Sequence, residues 1–186
     1  MNPFIHSRRG QTLVEALIAL SILTTGFIGI VALLTKSFQL NRTTSNDTQA
    51  TYLASEGIEI AKNIIDYDVY YGSSLPNTDD WGCSFDLTPG VPTDYEFEYD
   101  TVPPSNCSGV LTPSLTARTD RLYFNPSSTL YSYSSFPPAV LTDFTRDVRI
   151  TAVSGNELDV RSIVTWSAGS QSNTITLEDH FYDWHP

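Results

Sequence analysis

Positive charge is scarce in this sequence. Ten Lys and Arg stand against 21 Asp and Glu, a formal net charge of −11 over 186 residues. A surface of that sign repels DNA and anionic lipid headgroups, so direct nucleic-acid binding is disfavoured and the acidity reads as solubility. Cysteine is nearly absent. Cys83 and Cys107 are the only two, and neither a CxxC pair nor a Cys/His cluster accompanies them, which argues against zinc. Histidine is limited to His6, His180 and His185. The closing Asp179, His180, Asp183 and His185 read as a frayed polar tail rather than a metal set. There is no Gly-rich phosphate loop, no GxSxG and no HExxH. No catalytic, cofactor or metal residue is therefore expected, and the chain is not expected to be an enzyme.

What the sequence does have is one long apolar run. From Leu13 to Leu34 the only ionisable residue is Glu15. Roughly 22 residues, about 33 Å as a helix, match the hydrocarbon core of a bilayer. Arg8 and Arg9 precede the run and every acid lies within or after it, which places the N-terminus in the cytoplasm. A secretory signal would end in a small-residue cleavage site, and Val31-Ala32-Leu33-Leu34-Thr35-Lys36 offers a poor one. Glu15 is out of place in a plain anchor, because an acid in lipid costs roughly 2.5–3.5 kcal/mol near the helix centre and less near its end.

Arg8-Arg9-Gly10-Gln11 followed by an apolar helix with Glu15 at its fifth position resembles the type IV pilin-like prepilin signature. The resemblance covers roughly the first 60 residues. It implies cleavage by a prepilin peptidase between Gly10 and Gln11 on the cytoplasmic side, with methylation of the new amine. Gln11 stands where members usually have Phe or Met, and Ala32 where many major pilins have Pro. The resemblance also implies packing against other pilin subunits through the N-terminal helix, after residence in membrane lipid and handling by an inner-membrane assembly platform. The carboxylate of Glu15 would pair with a neighbouring subunit's ammonium, which offsets its desolvation and fixes axial register.

Beyond Phe38 the apolar positions Ala50, Leu53, Ala54, Ile58, Ala61, Ile64 and Ile65 recur at spacings of three and four, an amphipathic helical pattern. One helix is predicted from about Thr12 to about Ile65, with Gly26, Gly29 and Gly57 as weak points of about 1 kcal/mol each relative to Ala. The expected organisation is a leader over 1–10, a transmembrane or filament-core helix over 11–35, an amphipathic continuation over 36–66 and an extracytoplasmic head over 67–186. In an oxidising compartment Cys83 and Cys107 most simply form a disulfide. Closing about 25 residues would stabilise the head by roughly 3–4 kcal/mol; two buried free thiols are the alternative. Tyr67 to Pro113 is turn-rich, with one alternating strand at Tyr95–Tyr99 whose aromatics are expected to be core.

The last third reads as a meander. Arg121–Phe124 and Thr129–Tyr133 flank a short turn, Phe144, Val148, Ile150 and Ala152 alternate, and so do Leu158, Val160, Ser162, Val164 and Trp166. Ile175 and Leu177 follow. The fold class is thus α+β: a long N-terminal hydrophobic helix packed on a small antiparallel sheet, the lollipop of type IV pilins. Phe144-Thr145-Arg146 and the aromatic tail also resemble minor pilins of the PilV type. The functional expectation is a minor pilin in an extracellular or periplasmic filament. A pseudopilin of a type II secretion or DNA-uptake system and a non-polymerising single-pass adhesin are the alternatives, and an anchored hydrolase lacks residues to carry it.

Overall fold

The computed structural model describes residues 11–72, 81–85, 87–104, 109–111, 120–168 and 171–183. One helix, α1 (Gln11–Gly72), is followed by six strands: β1 (Thr93–Tyr95), β2 (Arg121–Asn125), β3 (Leu130–Ser132), β4 (Val140–Ser154), β5 (Glu157–Ala168) and β6 (Gln171–Tyr182). The chain divides into two units between Ser45 and Asn46. In the first, the helix presents its apolar residues to the outside: Leu17, Ile22, Leu23 and Phe27 are all exposed. It is long and apolar enough to cross a membrane.

The second unit is the last part of α1 packed on an antiparallel sheet of order β3-β2-β4-β5-β6. β4 is the central strand. Along one edge it pairs with β5 from Phe144↔Trp166 to Ser154↔Glu157. Its other edge is divided: β2 takes the first part, to Arg121↔Thr145, and β1 takes the last, from Tyr95↔Val148.

That division corrects one expectation. Tyr95–Tyr99 alternates like a strand, but its ladder stops at Tyr95; continued in register, Glu98 would fall opposite Thr145, which already pairs with Arg121 of β2. Phe97 remains buried without the ladder, stacked on Tyr95 at 5.3 Å between ring centres, whereas Tyr99 is exposed. A second correction lies at the C-terminus. The predicted frayed tail is largely strand: Asp179 and His180 sit in β6, paired with Val160 and Asp159. The helix also runs past Ile65, ending at Gly72.

The predicted inward residues are inward. Ala61, Ile64 and Ile65 of α1 meet Phe85, Tyr95, Phe97, Val148, Ile150, Leu158 and Val160 in one cluster. Ala50, Leu53 and Ala54 meet Leu122, Phe144, Val164 and Trp166 in another. Between the two, Gly57 lies against the sheet, where a Cβ would collide with Ser162 Oγ and meet Val148 Cγ2 at 3.1 Å. The glycine that looked like a weak point in the helix is therefore the position of closest approach to the sheet, and the cost in helix propensity is offset by the contact.

Gly57→Ala should accordingly destabilise the head by about 1–3 kcal/mol through overpacking, despite alanine's better helix propensity. Adding Ser162→Ala, which removes the colliding hydroxyl, should restore part of that loss. Urea unfolding of the single and double variants measures the coupling; a neutral Gly57→Ala would show that helix and sheet yield at this point.

Candidate functional site

The residues expected to carry function lie at the start of α1. Gln11 is its first residue and Glu15 stands one turn further on; Arg8, Arg9 and Gly10 lie outside the described residues. Leu and Ala favour the helix in this segment and no proline interrupts it.

Four of its hydroxyl groups are satisfied within the helix. Ser21 Oγ donates to Leu17 O at 2.8 Å, Thr25 Oγ1 to Ser21 O at 2.8 Å, Thr24 Oγ1 to Ser21 O at 3.0 Å and Thr35 Oγ1 to Val31 O at 2.9 Å. Bonded back in this way, they add little cost in lipid, where an unpaired polar group is expensive. Glu15 differs. Its side chain is exposed on the helix, flanked by Val14, Ile18, Ala19 and Ile22, and it has no bonding partner among the described residues. The segment therefore presents a single carboxylate among apolar side chains.

Of the cysteines, Cys83 lies in the turn Trp81–Ser84 and is not a free thiol; Cys107 lies outside the described residues. The turn is held to α1 by Asp68, buried near the helix's end, whose carboxylate accepts Ser84 N–H at 3.0 Å and the Ser84 hydroxyl at 2.5 Å.

Three sets of polar residues escaped the sequence reading. Arg146 is buried and spans from β4 to the helix; its signal was a charge at an inward position between Phe144 and Val148. Asp68 carried the same kind of signal, at helical spacing from Ala61, Ile64 and Ile65. On the sheet face away from α1, Glu157, Asp159 and Arg161 of β5 lie opposite Tyr182, His180 and Glu178 of β6. The imagined set of Asp179, His180, Asp183 and His185 does not assemble: Asp179 shares the opposite face of β6 from His180, and His185 is outside the described residues.

Against this geometry, residues 5–31 match the family model described as the prokaryotic N-terminal methylation motif. No curated protein and no solved structure matches the chain. The class is that of membrane-capable chains with a helix followed by an antiparallel sheet. Within it, the motif marks the N-terminus as that of a type IV pilin-like prepilin, and the α+β architecture agrees with a pilin fold. The motif points to a structural subunit.

His180 supplies a titration that can be measured. Its Nδ1 lies 3.0 Å from Glu157 Oε1 and its Nε2 3.3 Å from Glu178 Oε1. Hydrogen bonds to Glu157, then to Glu178, raise its pKa above the ordinary 6.5. A raised pKa in the folded state means that the stabilisation is full below about 6.5 and is lost as pH rises through the folded-state value. NMR titration in chelator-treated buffer should place the His180 midpoint above 6.5 and Glu157→Gln should lower it. A midpoint unmoved by Glu157→Gln would contradict the pairing.

Proposed function

We propose that this chain is a minor pilin, a structural subunit of a type IV pilus-like filament. The observation that carries this reading is Glu15, a carboxylate without a partner among the described residues, at the fifth position after Gly10 on an exposed apolar helix within the matched motif. In this reading a prepilin peptidase cuts Gly10–Gln11, Gln11 becomes the N-terminus, and Arg8 and Arg9 hold the leader in the cytoplasm. The helix resides in the cytoplasmic membrane until the assembly platform passes it into an extracellular or periplasmic filament. There Glu15 pairs with the terminal ammonium of a neighbouring subunit. Cys83 and Cys107 close a disulfide across the loop region in the oxidising compartment, in keeping with the absence of a free thiol at Cys83. The aromatic, turn-rich segment between α1 and β2 favours a pilus-associated subunit over a secretion or DNA-uptake pseudopilin, which would share the same N-terminal device.

Processing is tested directly. The membrane-extracted protein should have the mass of a chain beginning at Gln11, and Gly10 replaced by a bulky residue should leave full-length precursor. A start beyond Ala32 would point instead to ordinary secretion.

Assembly is tested at Glu15. Replacing it by Ala or Gln removes a charge from lipid and should ease membrane insertion, and it should leave the head folded. It should nevertheless disable incorporation, since stripping a buried charge of its partner costs about 3–5 kcal/mol, more than a hundredfold in occupancy. Sheared filaments probed for the tagged subunit report the result. Wild-type incorporation of Glu15→Ala would remove the pairing role.

A further inference from the structure

The outer face of β5 and β6 carries a polar cluster remote in sequence from the N-terminal motif. Asp159 lies directly opposite His180, and Arg161 opposite Glu178. Residues two apart on a strand share a face, so the pairing gathers Asp159, Glu178 and His180, and one donor atom of each lies within 4.8 Å of the others.

Three observations give this cluster the character of a site. First, the imidazole is oriented. A carboxylate accepts and cannot donate, so Nδ1 carries the proton towards Glu157 Oε1 at 3.0 Å, and Glu157 Oε1 is itself held by the Tyr182 hydroxyl at 3.1 Å. An imidazole steadied through one nitrogen by a carboxylate presents the other as a ligand. Second, that nitrogen, Nε2, is 3.3 Å from Glu178 Oε1. Two ligands on a tetrahedral ion with bonds of about 2.0–2.2 Å are roughly 3.3–3.6 Å apart, so the pair already stands at coordinating separation. Third, Asp159 is only 7 % exposed and its Oδ1 has no hydrogen-bond partner among the described residues. An unpaired buried carboxylate oxygen is costly and rare.

We propose that Asp159, Glu178 and His180 bind a divalent first-row transition ion, for which Zn²⁺ is the probe, with Glu157 and Tyr182 holding the imidazole. One imidazole and two carboxylates suit Zn²⁺ and its neighbours better than Ca²⁺ or Mg²⁺, which require more oxygen ligands. The ion takes the place of the Nε2 proton, which leaves to solvent. Arg161 is the competitor. Its guanidinium is 2.9 Å from Asp159 Oδ2 and 3.2 Å from Glu178 Oε2, with Nη2 also 3.4 Å from Glu178 Oε1. It is half-exposed and can turn to solvent at small cost, since exposed ion pairs contribute little. The ion would fasten β6 to β5 at a strand that has the sheet on one side only.

The test uses the full chain in detergent, free of affinity tags and stripped with chelator, titrated with ZnCl₂, CaCl₂ or MgCl₂ by calorimetry. One Zn²⁺ per chain is expected, with Ca²⁺ and Mg²⁺ failing to compete. His180→Ala or Glu178→Gln should weaken binding at least tenfold, Tyr182→Phe should weaken it to a smaller extent, and His185→Ala should leave it unchanged. Arg161→Gln should tighten it several-fold, an effect that a purely structural cluster would not show. Circular dichroism checks that each variant is folded, and the His180 ring resonances should shift with zinc in the wild type. Absence of saturable zinc binding, equal affinity in folded His180→Ala, or loss of binding with His185→Ala overturns the proposal.

Discussion

The head is organised around one buried cation. The Arg146 side chain is fully enclosed, and its Nη1 donates to Leu53 O at 3.2 Å and to Glu56 Oε2 at 2.8 Å, while Nη2 donates to Phe97 O at 2.7 Å. A single guanidinium on β4 thus engages the helix twice and the segment after β1 once. Burying it costs several kcal/mol, which these three bonds offset in large part, although Nε has no hydrogen-bond partner among the described residues. The consequence is specificity. Shifting α1 by one turn along the sheet would leave a charge stranded inside the core, whereas the apolar contacts alone would tolerate such a slip far better. The Tyr133 hydroxyl adds a further tie by donating to Arg146 O at 2.6 Å, and burial raises its pKa, so it remains a donor throughout the physiological range.

The rest of the interface accommodates that arrangement. Ala50, Ala54, Gly57 and Ala61 form the side of α1 nearest the sheet, all buried and all small. Larger residues at those positions would lift the helix and carry Leu53 O and Glu56 out of reach of Arg146. The two apolar clusters lie towards either end of this stripe, so the ion pair is enclosed by packing rather than left at an edge. Low dielectric around it strengthens each bond and raises the cost of losing any one.

Much of this was legible in the sequence because it depends on period. The three- and four-residue spacing from Ala50 to Ile65 and the two-residue alternation in Phe144–Ala152 and Leu158–Trp166 each report one buried face, and each face is buried as read. Where burial was arranged by partners instead, the sequence was misleading. Tyr95–Tyr99 has the pattern of a strand, yet the edge it would need belongs to β2. Glu178-Asp179-His180 has too much charge to read as strand, yet Arg161 and Glu157 across the ladder supply partners to Glu178 and His180. Charges at inward positions, Arg146 and Asp68, interrupt the very pattern that identifies the core. The motif at the start of α1 was legible for a different reason: its meaning lies in the order Arg, Gly, Glu along the chain, and no tertiary contact is needed to read it.

The two units dispose of polar groups in opposite ways, and this difference carries the functional reading. The head pairs its buried charges internally, Arg146 with Glu56 and Asp68 with Ser84, and so has a core of its own. The apolar part of α1 pairs its hydroxyls with its own backbone and gives Glu15 no partner among the described residues. A helix of this kind is adapted to lipid except at one point, and no described residue relieves that exception. An opposite charge has to come from outside, in a setting dry enough for the pairing to outweigh solvation by water. A lipid-facing anchor would be better off with leucine at this position. Only where another helix brings a cation to the same depth does a glutamate gain over leucine, and in the assembly proposed above that cation would be the terminal ammonium of a neighbour's helix.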